Sequence, residues 1–241
     1  MTKIIIFRIT VFTIFLTLSS LLSANYQDMI GFALVLSVGL IHGANDLLII
    51  KKNSKFTSNY SQFRPFLTYI GVVFLGFTFF YLFPSFALVA FIIVSIYHFG
   101  EQHLEATPIT RSLKNNYRFI SIVSHGIILF TIIFMNNINT VNNVFLSFKI
   151  NFLNSNTLNI ILITVSIVYI STLVINKFLT SFIFSEILFF VLFYFLSLSS
   201  TLILCFSVYF IFFHSILSIK DQVKYIYGNN DSSSLKRYLL N

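Results

Sequence analysis

Apolar runs of about 18 or more residues recur along this chain, parted by gaps as short as FPSF and LSLSS. A run of that length is enough for one helix to cross the hydrocarbon of a bilayer. Eight such spans are expected, at about 4–23, 29–50, 66–83, 86–104, 117–135, 157–176, 180–197 and 200–219. Composition leaves little choice. The 241 residues are 57% hydrophobic and 9% charged, where soluble domains carry about 25% charged residues. Such a chain cannot clothe itself in polar groups, so lipid is its solvent. The expected fold class is all-α: a polytopic transmembrane helical bundle, one domain over 1–241 with a polar tail at about 220–241.

The net charge of +8 would suggest nucleic acid in a soluble protein. Here the cations mark topology. Lys3 and Arg8 are read as preceding the first span. Lys51, Lys52, Lys55 and Arg64 fall between spans two and three. Arg111, Lys114 and Arg118 follow span four, Lys177 follows span six, and Lys220, Lys224, Lys236 and Arg237 follow span eight. Only Lys149 has the opposite parity. The positive-inside rule then puts both termini in the cytoplasm. The Asn-rich gap 136–156 would face outward, and the tail after 220 would be loosely ordered. The basic, apolar, small-residue order of the N-terminus also fits a secretory signal peptide. A first membrane helix is the favoured reading, since the rest of the chain inserts in any case. Cys205 is the only cysteine, which excludes an internal disulfide and a cysteine metal cluster.

That topology gives the intramembrane polar residues a depth. His42, His98 and His214 lie on helices heading inward, and His125 and Glu186 on helices heading outward. At 1.5 Å per residue they sit roughly 9–14 Å from the cytoplasmic edge. Charges at a helix centre cost about 2.5–3.5 kcal/mol each on insertion scales, so such groups face the bundle interior or a cavity. His42 and Asp46 are four apart in GLIHGANDLL, and His98 and Glu101 three apart in YHFGEQHLE. Each pair shares a helix face, which suits a metal ligand with a carboxylate that orients its ring. Gly43 and Gly100 leave room for a close neighbour. Plainer readings stand beside this one. A single membrane histidine can be an interhelical hydrogen-bond donor, His103 can be solvated, Asp46 can be interfacial, and Glu186 can tether two helices. Convergence of three histidines at one depth favours a metal site for iron, zinc or copper. A proton- or ion-coupled transporter using the His/Asp/Glu layer is the alternative. Against it, the chain has no internal repeat, and none of its three prolines lies in mid-span.

Three segments carry a resemblance. GLIHGANDLL resembles the HGAxD motif, SIYHFGEQH the HFGE motif, and YFIFFHSILSI the late histidine segment of the bacterial and archaeal β-carotene 15,15'-dioxygenase family. The order and placement agree over essentially the whole chain. The resemblance implies an integral enzyme of the cell membrane that uses Fe(2+) and O₂ to split β-carotene into two all-trans retinal, with a rhodopsin as consumer. It implies His42, His98 and His214 as iron ligands, with Asp46 and Glu101 behind them. The family's fourth ligand position holds Ser218 here, and His103 and His125 are the candidates to complete the set. Phe91, Tyr97, Phe99, Tyr209 and Phe213 are expected along the polyene. A non-catalytic carotenoid or retinal binder derived from the enzyme is a further alternative, motivated by Ser218.

Overall fold

The apolar runs form helices, and the described residues contain no strand. The computed structural model describes residues 2–39, 41, 49, 59–105, 115–151, 153–176 and 180–240. Helix α1 is Thr2–Leu21 and α2 is Ala24–Leu34, which passes directly into a π-helical segment, Val35–Gly39. Then come α3 (Asn59–Leu82), α4 (Pro84–Glu105), α5 (Asn115–Asn136), α6 (Ile138–Ser147), α7 (Ser155–Ile175) and α8 (Thr180–Ser199). The chain closes with α9 (Leu202–Val208), a second π-helical segment (Tyr209–Ser215), α10 (Ile216–Tyr227) and α11 (Ser232–Leu240).

Among the described residues six helices are long and apolar enough to cross a membrane: Lys3–Leu21, Pro84–Glu105, Asn116–Asn136, Ser155–Ile175, Phe182–Ser199 and Leu202–Tyr227. The apolar part of α3, Phe66–Leu82, is shorter. The last crossing is α9, the π segment and α10 in one piece. The expected span 29–50 is described through Gly39 and at Ile41 and Ile49, so His42, Asp46 and Gly43 lie outside the described residues. The fold class is as the hydropathy predicts.

The gap 136–156 contains α6, whose Val141 and Phe145 are buried. One region differs from expectation: the tail is not loose. Gly228 ends α10 in the left-handed conformation, φ 85°, which a glycine adopts without steric cost. That turn lets α11 fold back, burying Tyr238 against Ile219 and Val223 and bonding its hydroxyl to Gln222.

Helix α5 is central, packing on α4, α7 and α8. Its crossing with α4 is set by two glycines. A Cβ on Gly100 would lie 2.0 Å from the Ile122 carbonyl oxygen, and one on Gly126 would lie 1.9 Å from that of Ile96. Only backbone meeting backbone fits there, as in small-residue membrane crossings. Helix α1 is an integral member of the bundle. Its Arg8, Phe12 and Phe15 are buried, and Phe12 stacks on Phe213 at 5.1 Å. At the opposite end Gln27 joins two turns. Its Nε2 donates to the Ser19 and Leu22 carbonyls, and its Oε1 accepts from the Thr201 N–H.

Candidate metal and substrate site

The structure gathers the four described histidines into two groups, one on each side of α4. In the first, His98 of α4 meets His214 of the second π segment edge to face, with ring centroids 4.7 Å apart. His214 is buried, while His98 stands at the exposed flank of its helix. The π segment explains how His214 is presented. The Ile216 N–H reaches back five residues to the Ile211 carbonyl, so the turn holds an extra residue and shifts the register of everything after it. Such π turns inside α-helices concentrate at functional sites. Phe99 and Phe210 wall the pair, at 4.8 Å and 5.6 Å from the His214 ring.

The second group draws on five helices. His103 (α4) and His125 (α5) stack at 3.8 Å, a contact that the glycine crossing allows. Glu186 (α8) lies against both. Its Oε2 is 3.0 Å from His103 Nε2 and 3.8 Å from His125 Nδ1, and it accepts from the Tyr169 hydroxyl of α7 at 2.8 Å. The ligand atoms of His103, His125 and Glu186 lie within 4.8 Å of one another, a group that could bind a metal. A cation is already there. Arg8 of α1 donates to Glu186 Oε1 at 2.8 Å, to the Ser185 carbonyl and hydroxyl at 2.8 Å each, and stacks its guanidinium over Phe189.

The contacts of His103 Nε2 sharpen the point. It lies 3.2 Å from an Arg8 nitrogen, which can only donate, and 3.0 Å from a carboxylate, which can only accept. One ring nitrogen satisfies one of these. Among the described residues, neither nitrogen of His125 has a hydrogen-bond partner. Phe189 lies against His103 and His125 on one side and against Tyr209 and Phe213 on the other, so an aromatic layer separates the two groups.

The remaining residues singled out by sequence fall as follows. Glu101 accepts from the Tyr97 hydroxyl at 3.1 Å, and Tyr97 packs on Phe119. Ser218 is half-buried, one turn past His214 on α10. Phe91 lines an apolar cavity of about 370 Å³, together with Phe32, Phe130 and Phe206. Phe99 lies between that cavity and His214. Tyr209 and Phe213 are buried in the layer beside Phe189. Sequence reasoning read Arg8 as a topology charge. In the structure it is a buried ion-pair partner, and the available signal was its place inside the apolar run, not before it. Tyr169 and Phe206 carried no signal beyond being aromatic, and Phe210 carried only its place in YFIFFHSILSI.

Neither the curated proteins nor the solved structures include a match to this chain. The family model for beta-carotene 15,15'-dioxygenase matches residues 33–241, from the end of α2 through α11, and the chain belongs to that family.

Proposed function

We propose that this protein is an iron-dependent membrane oxygenase that cleaves β-carotene at its central 15,15' double bond. One O₂ is consumed, and each carbon of the broken bond takes one oxygen atom, giving two all-trans retinal. The observation that carries this reading is the edge-to-face pairing of His98 and His214 on a π segment, in a chain of this family.

The residues fit an iron ion. Two imidazoles converge in aromatic surroundings, a donor type that suits iron among the divalent metals. His42 is the third ligand proposed. Support comes from its neighbours: Val38 and Ile41 pack against the cluster of Ile219, Val223 and Tyr238, so the first π segment and Ile41 lie alongside the helices that follow His214. Asp46 and Glu101 are proposed to orient the ligand rings, with Glu101 itself positioned by Tyr97. Iron, when bound, supplies the one-electron chemistry that O₂ needs to react with a polyene. The protein's own part is to hold the imidazoles neutral and oriented, to exclude water with Phe99 and Phe210, and to seat the substrate. Both reactants are apolar and reach a bilayer-embedded site from the lipid. The basic gaps support a topology with both termini in the cytoplasm, and the retinal formed would pass to a retinal-binding protein such as a rhodopsin.

The test is expression in cells that accumulate β-carotene, with retinal measured by chromatography. Loss of orange pigment with matching retinal is expected. Unchanged β-carotene alongside folded, iron-supplied protein would sink the enzyme, and bound pigment without turnover would mark a carotenoid binder.

A further inference from the structure

One row of rings joins the histidine pair to the apolar cavity. Phe206, Phe210 and His214 are four residues apart along α9 and the π segment. Phe206 and Phe210 stack at 5.8 Å with planes 9° apart, and Phe210 and His214 at 5.6 Å with planes 22° apart. Phe206 is itself a wall of the cavity of about 370 Å³, whose other walls include Phe32, Val35, Phe91, Phe130 and Phe145. A second route runs parallel. Phe130 stacks on Phe99 at 5.9 Å, and Phe99 meets His214 at 4.8 Å. Among the described residues that line the cavity none is charged. Its one serine, Ser207, already donates to the Gly31 carbonyl at 2.9 Å. The cavity therefore offers shape and aromatic faces and asks for no polar partner.

We propose that this cavity seats one ring end of the carotenoid and that the Phe206–Phe210–His214 row is the track for half of its polyene. The length of the track then sets which double bond meets the histidines. This rests on the carotenoid-cleaving reading above. The dimensions agree. Eight residues of helix rise span roughly 12 Å. From the central double bond of β-carotene to its ring is nine bonds, about 11 Å at the roughly 1.2 Å advance per bond of an extended chain. The two halves of β-carotene are identical, so one half-length track suffices to place the central bond at the metal ligands. A row of aromatic side chains gives an extended apolar chain a continuous surface to lie against. Phe91 and Phe99 keep the substrate role expected of them, and Phe206, Phe210, Phe130 and Phe32 join them.

The experiment compares the wild-type protein with Leu88→Trp, which fills the cavity, and Phe91→Ala, which enlarges it. Leu88 is a wall residue of the cavity, ten residues before His98 on α4 and outside both histidine groups. Two readouts are used: products from β-carotene and from ring-free lycopene, and the β-carotene that co-purifies with iron-depleted protein. Leu88→Trp is expected to lower the β-carotene-to-lycopene cleavage ratio and the bound pigment, each by about fivefold or more. Phe91→Ala is expected to release unequal apocarotenals beside retinal. An active wild type with both variants unchanged in ratio, product and pigment would overturn the proposal. A wild type that binds pigment without cleaving it, and loses it on Leu88→Trp, would overturn the dioxygenase reading while upholding the seat. A wild type that neither binds nor cleaves carotenoid removes both.

Discussion

Helix α4 carries His98 and His103 five residues apart, which turns them about 140° from each other around its axis. They meet different fates. His98 faces His214 across a π segment, beside an aromatic cavity. His103 faces His125, Glu186 and Arg8, buried among five helices. The second group is the better enclosed and the richer in ligand atoms, yet it is the poorer candidate for a resident cation. Its carboxylate already has a guanidinium, and a divalent ion added beside Arg8 would face like charge at low dielectric. It works as a clamp that holds α1, α4, α5, α7 and α8 in register. The first group is joined through Phe210 and Phe206 to the wall of an apolar cavity. Burial and ligand count favour the second group, and the neighbouring guanidinium weighs against it.

The comparison can be broken first at the open pair. His98→Ala and His214→Ala should each strip iron and lower retinal formation by more than about 100-fold, since even groups one step removed from a metal cost 10–100-fold. Metal analysis and chromatography check this. Stoichiometric iron in both variants would move the metal elsewhere. At the clamp, Arg8→Ala strips the guanidinium from buried Glu186, leaves it His103 and Tyr169 as hydrogen-bond partners, and should cost about 3–5 kcal/mol, read as a lowered melting temperature in detergent. The double variant Arg8→Leu with Glu186→Leu should recover most of that loss, because removing both charges removes the penalty. Iron content per folded molecule should not change in either.

Next in size is the crossing that serves both groups. Gly126→Ala drives a methyl into the Ile96 carbonyl and should cost about 1–3 kcal/mol as overpacking. Smaller still, Ser218→His should raise iron affinity by about tenfold if a ligand position stands open there, on the scale of ligand-shell effects. An unchanged affinity in a metal titration would say that another residue already fills it. The smallest effect belongs to His125→Phe. Its ring nitrogens make no hydrogen bond among the described residues and its neighbours are largely aromatic, so a similarly shaped ring should cost less than about 1.5 kcal/mol. A large loss of iron in that variant would restore the clamp as a metal site.

Much of the fold was legible because membrane insertion writes itself locally. Each crossing needs its own apolar run, and each run announces its depth through the cations at its end. The breaks at Phe83 and Ser200 fell where FPSF and LSLSS placed them. The fold of the tail was not legible, because α11 is held by Tyr238 packing on Ile219 and Val223, a contact between segments that look polar one at a time. Glu186 is the helix tether that its plainer reading offered. Arg8 was misread, since charge sign and position in the chain do not say whether a side chain turns toward water or toward a carboxylate.

What the residues determined by themselves was class and depth: a helical membrane protein with a layer of histidines near one face, carried on family motifs. Depth follows from a constant rise per residue, so it can be counted. What only the tertiary structure decided was azimuth and partnership. His98 and His103 ride one helix yet fall into two sites, because the face each presents is set by packing. Gly100 and Gly126 bring α4 and α5 to backbone contact and so commit His103 to His125. The π segment turns His214 toward His98. Those outcomes depend on which surfaces fit together, and fit is a property of two helices at once.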